Sequence, residues 1–198
     1  MGRLLLQMMI SVDGMVSGPK GELDWLTDWL DDESLNQYHL KMLKQSNLIL
    51  LGAGGGPGMI KYWDDAQHDK KMSPLMHEMA RAMTETPKVI YSHQRRQVEG
   101  KNTDVHVVAD DDAFIRDVKR TKQETDGPII TYGGVRLAHS FLQHGLLDEI
   151  LLNVCPIVVG NGQPLFTNEA PKIKLHLRDS TTYKTGATMA HYEMAQAA

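Results

Sequence analysis

The chain has 198 residues, of which 41% are hydrophobic and 23% are charged, so it is large enough to bury one core without disulfides. We therefore predict a single domain that covers residues 1–198. The formal net charge of −4 comes from 21 basic and 25 acidic residues spread along the chain, and this balance excludes the basic surface of a protein that binds nucleic acid or an anionic membrane.

The amino terminus and the cysteine content indicate the compartment. The first residues lack the basic region and the cleavage site of a secretory signal, and they contain no apolar run of about 18 residues, as a membrane span requires. The single cysteine, Cys155, lies in an apolar run and is expected to be a buried, small hydrophobic side chain. We therefore expect a cytoplasmic protein with no intrachain disulfide and no membrane partner.

The first two thirds of the chain alternate between strand and helix patterns. Residues 3–10 carry apolar side chains on both faces, as in a strand that is covered by helices on both sides. Further strands are predicted at residues 47–51, 88–91, 105–108 and 129–132. Helical spacing of apolar residues predicts helices at residues 32–45, 73–85 and 111–124. The glycine-rich residues 52–58 are predicted to form a loop.

The last third of the chain has a different pattern. After a helix at residues 134–144, three β-rich runs follow with no long helix between them, at residues 148–158, 172–182 and 187–194. Such runs are most simply joined as antiparallel neighbours. We therefore predict an α/β fold with a mixed, mainly parallel sheet, helices on both faces and antiparallel carboxy-terminal strands.

Two glycines, Gly133 and Gly134, stand between a predicted strand and a predicted helix. Glycine lets the main chain approach a ligand closely, and the start of a helix presents free N–H groups and the positive end of its dipole. This junction suits the phosphate of a nucleotide. It is not the GxGxxG pattern of dinucleotide-binding proteins, however, and a plain tight turn is the alternative.

Three sets of motifs occur in a specific order along the chain. Residues 9–14 read MISVDG and residues 21–26 read GELDWL; residues 132–137 read YGGVRL and residues 146–150 read LLDEI; residues 156–166 read PIVVGNGQPLF. Together with the order of strands and helices, these motifs resemble the dihydrofolate-reductase-like family. The resemblance is to the branch that contains the carboxy-terminal reductase domain of the bifunctional riboflavin deaminase-reductase.

The resemblance implies an oxidoreductase that uses NADPH, or NADH, to reduce a small heterocyclic substrate, similar to 5-amino-6-(5-phosphoribosylamino)uracil reductase of riboflavin biosynthesis. On this resemblance Gly133 and Gly134 meet the diphosphate of the cofactor, and Val135 and Arg136 open the helix beneath it. Asp13 lies in a loop over the nicotinamide end, and Trp25 forms a wall of the substrate pocket. Without the resemblance, Asp13 would be interpreted as a polar turn residue and Trp25 as a core anchor.

The chain departs from the family after the second strand. Many small members have an arginine and a threonine there that lie near the cofactor phosphates, whereas this chain has Gly52, Ala53, Gly54 and Gly55. A cradle of main-chain N–H groups could still hold phosphate. Preference for the 2′-phosphorylated cofactor would then depend on other cations, and the candidates are Arg136 and the loop of residues 92–96, which contains Ser92, Arg95 and Arg96.

The proton donor is not identified by any motif. Asp13, Asp24, Asp64 and Asp65 all lie on segments that could face the cleft. We name Asp13, Trp25 and Asp65 as the candidate catalytic residues. The nine histidines form no metal-binding motif, so we expect no metal site.

Two other functions are open. The chain could be a catalytically silent homodimer that binds a nucleotide or another ligand on the same scaffold, because a fold does not guarantee an activity. It could also be a true dihydrofolate reductase, although no helical carboxylate for a pteridine ring is identifiable in residues 32–45. We expect a homodimer in each case, and the apolar residues 147–159 are the predicted contact segment.

Overall fold

The computed structural model describes residues 1–30, 32–132, 134–168 and 171–195, apart from the side chains of residues 28 and 30. The strands are β1 (Leu4–Ser11), β2 (Met15–Ser17), β3 (Leu48–Gly52), β4 (Lys88–Ser92), β5 (Thr103–Val107), β6 (Ile129–Thr131), β7 (Glu149–Cys155), β8 (Gln163–Pro164), β9 (Leu175–Thr182) and β10 (Thr188–Met194). The helices are α1 (Thr27–Leu30), α2 (Glu33–Lys44), α3 (Gly56–Ala66), α4 (Pro74–Glu85), α5 (Asp111–Glu124) and α6 (Val135–Gln143), and a 3₁₀ turn (Asp24–Leu26) precedes α1.

Eight of these strands form one mixed sheet in the order β5-β4-β3-β6-β1-β7-β10-β9. The first six strands in this order are parallel, and β10 runs antiparallel to both β7 and β9. This is the mixed, mainly parallel sheet of the dihydrofolate-reductase-like fold, and it confirms the predicted fold class. The predicted helices and strands are all present, with bounds that differ by a few residues.

Side chains alternate between the two faces of the sheet, and apolar residues occupy both faces. Helices therefore cover both faces. Leu4 and Leu6 of β1 point into a core that α5 and α6 complete, while Leu5 points into a second core under α2, α3 and α4. Phe141 of α6 is fully buried in the first core and Leu43 of α2 in the second. Burying one such side chain stabilises the fold by about 1.5–3 kcal/mol.

The prediction that residues 52–58 form a loop is partly wrong. The helix α3 begins at Gly56, carries Pro57 in its first turn and buries Ile60 and Ala66. Proline is well tolerated at the start of a helix because the N–H group that it lacks has no partner there. The five glycines of residues 52–58 concealed this start, and the loop itself is only residues 53–55.

The predicted dimer segment, residues 147–159, lies mostly inside the sheet. It contains β7, which pairs with β1 on one side and β10 on the other. Leu151 and Cys155 are fully buried within this chain. The apolar character of the segment therefore reflects burial in the core, and the prediction that it forms a contact between subunits is wrong for β7. The edge strand on this side of the sheet is β9, which is exposed along almost its whole length.

The connections of the sheet reverse direction between β3 and β6. From β3 the chain passes through α3 and α4 to β4, whereas from β6 it passes through α6 to β7 on the other side. These two strands are neighbours, with Leu50 opposite Thr131. Their carboxyl ends therefore form a topological switch point, and ligands of open α/β sheets bind in the crevice at such a point.

Candidate functional site

Two helices begin at the switch point, and both are capped by glycine. The helix α3 has Gly55 as its N-cap, α6 has Gly134, and no side chain of the described residues caps either helix. The first turn of a helix has N–H groups without intrahelical partners, and its dipole is positive at this end. Two such ends beside neighbouring strands therefore form a site that attracts an anion.

The glycines at this edge fit a ligand that lies against the main chain. A Cβ atom added to Gly55 or Gly134 would meet no atom within 4 Å, so both face open space. A Cβ atom on Gly52 would lie 3.3 Å from the Cβ of Leu137, so α6 packs closely against the end of β3. The result is a main-chain surface that is open on one side and firmly supported on the other, as a dinucleotide diphosphate requires. Gly134 has a φ of 78°, which side chains other than glycine rarely adopt.

Two arginines lie beside this surface. The Nη2 atom of Arg136 is 3.2 Å from the position that a Cβ atom of Gly54 would occupy, and Arg96 Nη1 donates a 2.6 Å hydrogen bond to Ala53 O. The cationic side chains can therefore pair with a phosphate that lies on the loop of residues 53–55.

The structure corrects part of the predicted cationic loop. Arg95 and Arg96 are both exposed, and in the described structure Arg96 is the one whose guanidinium is hydrogen-bonded to the glycine loop. Ser92 is buried, and its Oγ donates a 2.8 Å hydrogen bond to Gln94 O, so this hydroxyl shapes the turn after β4. The sequence placed both arginines in this loop, but it could not show which of them contacts the glycine loop.

Most of the remaining cofactor residues predicted from the sequence are brought together. Gly52, Ala53, Gly54 and Gly55 form the end of β3 and the turn after it, and Gly134, Val135 and Arg136 form the start of α6. Gly133 lies outside the described residues. The predicted strand–glycine–helix junction is therefore present at Gly134, beyond the carboxyl end of β6.

The Asp13 carboxylate joins two loops beyond the ends of β1 and β7. Ser11 Oγ donates to Asp13 Oδ1 at 2.6 Å, and the N–H groups of Gly160 and Val159 donate to the two carboxylate oxygens at 2.7 and 3.1 Å. These hydrogen bonds, with that from Ser11 the strongest, lower the pKa of Asp13 to about 2. The side chain is ionised at neutral pH, so its geometry favours holding the loops over donating a proton.

Main-chain hydrogen bonds strengthen the connection between the two loops. Val12 N donates to Ile157 O at 2.9 Å, Leu165 N donates to Gly14 O at 2.9 Å, and the short strands β2 and β8 pair antiparallel. The sequence did not predict these strands, which are only two and three residues long. The loop that carries Asp13 is thus held by the loop that carries the PIVVGNGQPLF motif, although the two are far apart in sequence.

Trp25 lies on the face of the sheet that α2 covers. Its ring packs against Trp29 with 6.4 Å between the ring centroids, and Trp29 Nε1 donates a long hydrogen bond of 3.4 Å to Thr185 O. The Trp25 side chain is half-buried and contacts the second core. This position suits a pocket wall as well as a core anchor.

The structure does not bring Asp65 to this edge of the sheet. Asp65 is exposed near the end of α3, where Lys61 Nζ donates to it at 2.8 Å. Because a helix rises 1.5 Å per residue, Asp65 lies about 14 Å along α3 from its glycine-capped start. The carboxylate is therefore remote from the switch point.

Four polar residues that the sequence did not single out lie on the α2 side of the sheet: Gln7, His39, Tyr132 and Asn153. Asn153 Nδ2 donates to His39 Nε2 at 3.0 Å, and burial lowers the pKa of His39 to about 4, so its imidazole is neutral. Gln7 did carry a signal, since it is a polar residue in the otherwise apolar interior of the first predicted strand.

Residues 1–30, 32–132, 134–168 and 171–195 lack two further features. No group of three or more His, Cys, Asp or Glu side chains there could hold a metal ion. No helix among those residues is both long and apolar enough to cross a membrane.

Comparison with known proteins supports the same fold along the whole chain. The uncharacterized protein YyaP of Bacillus subtilis (strain 168) is 26% identical over 193 residues, which are 96% of this chain and 94% of that protein. A putative riboflavin biosynthesis protein of Shewanella sp. PV-4 superimposes with a TM-score of 0.70 at 17% identity, covering 98% of this chain and 99% of the other. Dihydrofolate reductase of Enterococcus faecalis, solved with NADP(H), has a TM-score of 0.60 at 12% identity, covering 98% of both chains.

A family model gives the assignment. The model described as the RibD C-terminal domain matches residues 3–189, which is nearly the whole chain and includes every glycine and arginine of the switch point. The chain therefore belongs to the RibD C-terminal domain family.

Proposed function

We propose that the chain is an NADPH-dependent reductase of a small heterocyclic substrate, with NADH as the alternative cofactor. Membership in the RibD C-terminal domain family supports a reductase of the riboflavin-pathway type. A substrate similar to that of 5-amino-6-(5-phosphoribosylamino)uracil reductase is the specific proposal. The observation that carries the proposal is the meeting of two glycine-capped helix starts at the switch point between β3 and β6.

The residues at the switch point would hold the cofactor by its phosphates. The N–H groups at the starts of α3 and α6 would bind the diphosphate, and the open faces of Gly55 and Gly134 would let it lie against the main chain. Arg136 and Arg96 would pair with the additional phosphate of NADPH, which favours this cofactor over NADH. The similarity of the fold to a dihydrofolate reductase solved with NADP(H) supports this placement.

The bound cofactor would supply a hydride, and the chain would supply position and exclusion of water. Asp13 would fix the loops over the reacting groups through its hydrogen bonds to Gly160 and Val159. Trp25 would form an apolar wall of the substrate pocket, beside the sheet face that α2 covers. We propose no role in the reaction for Asp65.

Cofactor binding tests the proposal directly. Substituting Gly134→Ala places a Cβ atom where the diphosphate would lie and strains a backbone with a φ of 78°. Gly145 is the matched control, because it lies at the other end of α6, has a φ of 61° and also faces open space. Wild type and Gly145→Ala should gain several degrees in Tm from millimolar NADPH, and Gly134→Ala should gain little.

The measurement is thermal unfolding of each protein with NADPH, NADH and no nucleotide. The control separates cofactor contact from backbone strain, since both substitutions force alanine to a positive φ. If neither nucleotide stabilises the wild type, or if the two variants respond alike, the reductase proposal fails.

A second function is favoured by the positions of the two candidate acids. Asp13 is ionised and fully hydrogen-bonded, and Asp65 is remote, so neither carboxylate supplies a proton at the switch point. A catalytically silent, ligand-binding homodimer would have this arrangement. It would bind NADPH without oxidising it across a panel of pterins, pyrimidines and dihydrofolate, and light scattering would show a dimer. Turnover of a member of the panel excludes this alternative.

A further inference from the structure

The loop between β7 and β8 contains Asn161, which is the only asparagine of the chain that is followed by a glycine, Gly162. Asn161 is exposed, and among the described residues its side-chain amide forms no hydrogen bond. The amides of Asn47 and Asn102, by contrast, each donate to a main-chain carbonyl group. The Asn161 side chain is therefore free to rotate towards its own main chain.

The main-chain nitrogen of Gly162 is the group that this amide can meet. Within the part of the chain that the structure describes, this nitrogen donates no hydrogen bond. Glycine has no Cβ atom, so no side chain shields the nitrogen from the residue before it. The electrophilic carbon of an amide and an unshielded nucleophile are thus adjacent in the chain, and water has access to both.

A comparable pair in the neighbouring loop is protected. Asp13 is also followed by a glycine, but its carboxylate accepts hydrogen bonds from Ser11, Val159 and Gly160. The nitrogen of Gly14 donates to Ser11 O at 2.9 Å, so the nucleophile of this pair is engaged as well. The asparagine–glycine pair has neither protection.

We propose that Asn161 is a site of spontaneous deamidation in the folded protein. The nitrogen of Gly162 attacks Cγ of Asn161, and the new N–Cγ bond closes a succinimide ring. The Cγ–Nδ2 bond breaks, and ammonia leaves with the proton from the Gly162 nitrogen. Water then opens the ring: opening at Cγ gives aspartate, and opening at the main-chain carbonyl carbon gives isoaspartate. No electrons are transferred, and water is the only co-reactant.

The new carboxylate forms beside the link between the two loops. Gly160, whose N–H donates to Asp13 Oδ2 at 2.7 Å, immediately precedes Asn161. Consecutive Cα atoms are about 3.8 Å apart, so deamidation places a second negative charge close to that of Asp13. Because like charges repel, both products weaken the hydrogen bonds that Asp13 accepts from this loop.

Isoaspartate also changes the main chain where there is no spare room. A Cβ atom on Gly162 would lie 2.3 Å from Ser17 O and 3.3 Å from the Cβ of Met15, so the loop packs tightly against β2. Isoaspartate adds a carbon to the main chain directly before Gly162. This addition displaces the contact with β2, and the pairing of β2 with β8 is disturbed with it.

Peptide mapping by mass spectrometry, on folded protein aged in mildly alkaline buffer, tests the reaction. Asn161 should lose its amide at a rate within about tenfold of that of a synthetic peptide of the same loop sequence, because folding leaves both reacting groups free. Asn102 is the internal control and should stay intact, since it is exposed but bonded and is followed by Thr103. If the peptide reacts while Asn161 in the folded protein stays intact, the proposal is overturned.

Two variants test the effect on the loops. Asn161→Asp carries the charge of the products, and Asn161→Gln is the matched neutral control. Hydrogen-exchange NMR should show the Gly160 amide exchanging about threefold faster or more in Asn161→Asp than in Asn161→Gln. In an Asp13→Asn background this difference should shrink, because one of the two repelling charges is gone. Equal exchange in the two variants, or a difference that Asp13→Asn leaves unchanged, contradicts the proposed effect.

Discussion

At the scale of single residues, Asp13 shows how a motif can identify a residue and leave its role open. The sequence placed it in a turn near the proposed nicotinamide end. Its hydrogen-bond partners, Val159 and Gly160, are 146 and 147 residues away, and no local pattern predicts a contact over that distance. The role of the carboxylate follows from tertiary structure alone.

Substituting Asp13→Asn should loosen the contact between the two loops. The amide keeps one acceptor oxygen and loses the charge, so the N–H groups of Val159 and Gly160 should exchange with solvent about tenfold faster or more. Hydrogen-exchange NMR of these two amides measures the effect. Asp65→Asn, which removes an exposed carboxylate elsewhere, should leave both rates unchanged.

The pH dependence of this contact has a defined sign. The folded pKa of Asp13, about 2, is below its ordinary value of 3.8, so the contact is complete above pH 3.8 and is lost as the pH falls through about 2. Protection that disappeared already near neutral pH would contradict the assignment.

At the scale of the elements, the periodicity of apolar residues predicted most helices and strands. The exception was α3, whose start the glycines concealed. Ser73 caps α4 at the first residue of the predicted helix, with its Oγ accepting from Met76 N, because an N-cap signal is local. Gly56 and Gly58 in the first turn of α3 oppose helix formation by intrinsic preference, and packing of Ile60 and Ala66 against the sheet overrides it. The start of α3 is part of the proposed cofactor site, so the sequence predicted the glycine loop at this place and missed the helix that follows it.

The helix α2 should make stability depend on pH through His39. The pKa of His39 in the folded chain, about 4, is below its ordinary value of 6.5. Between these two pH values the unfolded chain therefore binds a proton at His39 that the folded chain does not bind. Stability should therefore fall as the pH decreases from about 6.5 towards 4, by about 2–3 kcal/mol. Denaturant unfolding at pH 7 and pH 4.5 measures the difference.

His39→Gln should flatten this pH dependence, because glutamine does not titrate. His68 is exposed, so His68→Gln is the control and should retain the full decrease. If the free energy of unfolding decreases equally with pH in the wild type and in His39→Gln, then His39 is not buried as a neutral side chain.

At the scale of the whole molecule, an ion network connects three strands near the amino end of β1. Arg3 Nε donates to Glu149 Oε1 at 2.7 Å, Arg3 Nη2 donates to Glu193 Oε1 at 2.7 Å, and His191 Nε2 lies 2.6 Å from Glu149 Oε2. The hydrogen bond with His191, together with Arg3, lowers the pKa of Glu149 to about 2. The network therefore links β1, β7 and β10.

Glu149→Gln should lower the free energy of unfolding at neutral pH by about 1–2 kcal/mol. The effect is modest because solvent screens the partly exposed ion pairs of the network. The folded pKa of Glu149 is below its ordinary 4.5, so its contribution is present above pH 4.5 and is lost as the pH falls through about 2. Thermal unfolding against pH should show the wild type and the variant converging in acid. A constant difference down to pH 2 would contradict the assignment.

The whole fold was more predictable from the sequence than the site. Apolar periodicity and the order of the motifs specify the sheet, because burial of Leu5 or Ile130 depends on alternation that can be read directly. The hydrogen bond from Arg96 to Ala53 and the link from Asp13 to Gly160 depend on which strands become neighbours. The first arises only when β3 and β4 are paired, and the second only when β1 and β7 are paired.

The glycine-capped starts of α3 and α6 have a consequence for how this protein can diverge. Peptide N–H groups belong to every residue except proline, so the atoms that would grip a phosphate survive most replacements of the side chains around them. Only the positions that cannot accept a Cβ atom, above all Gly134, should not tolerate substitution. Relatives could therefore retain the proposed phosphate anchor while the side chains around it vary, so one anchored cofactor could serve many different substrates.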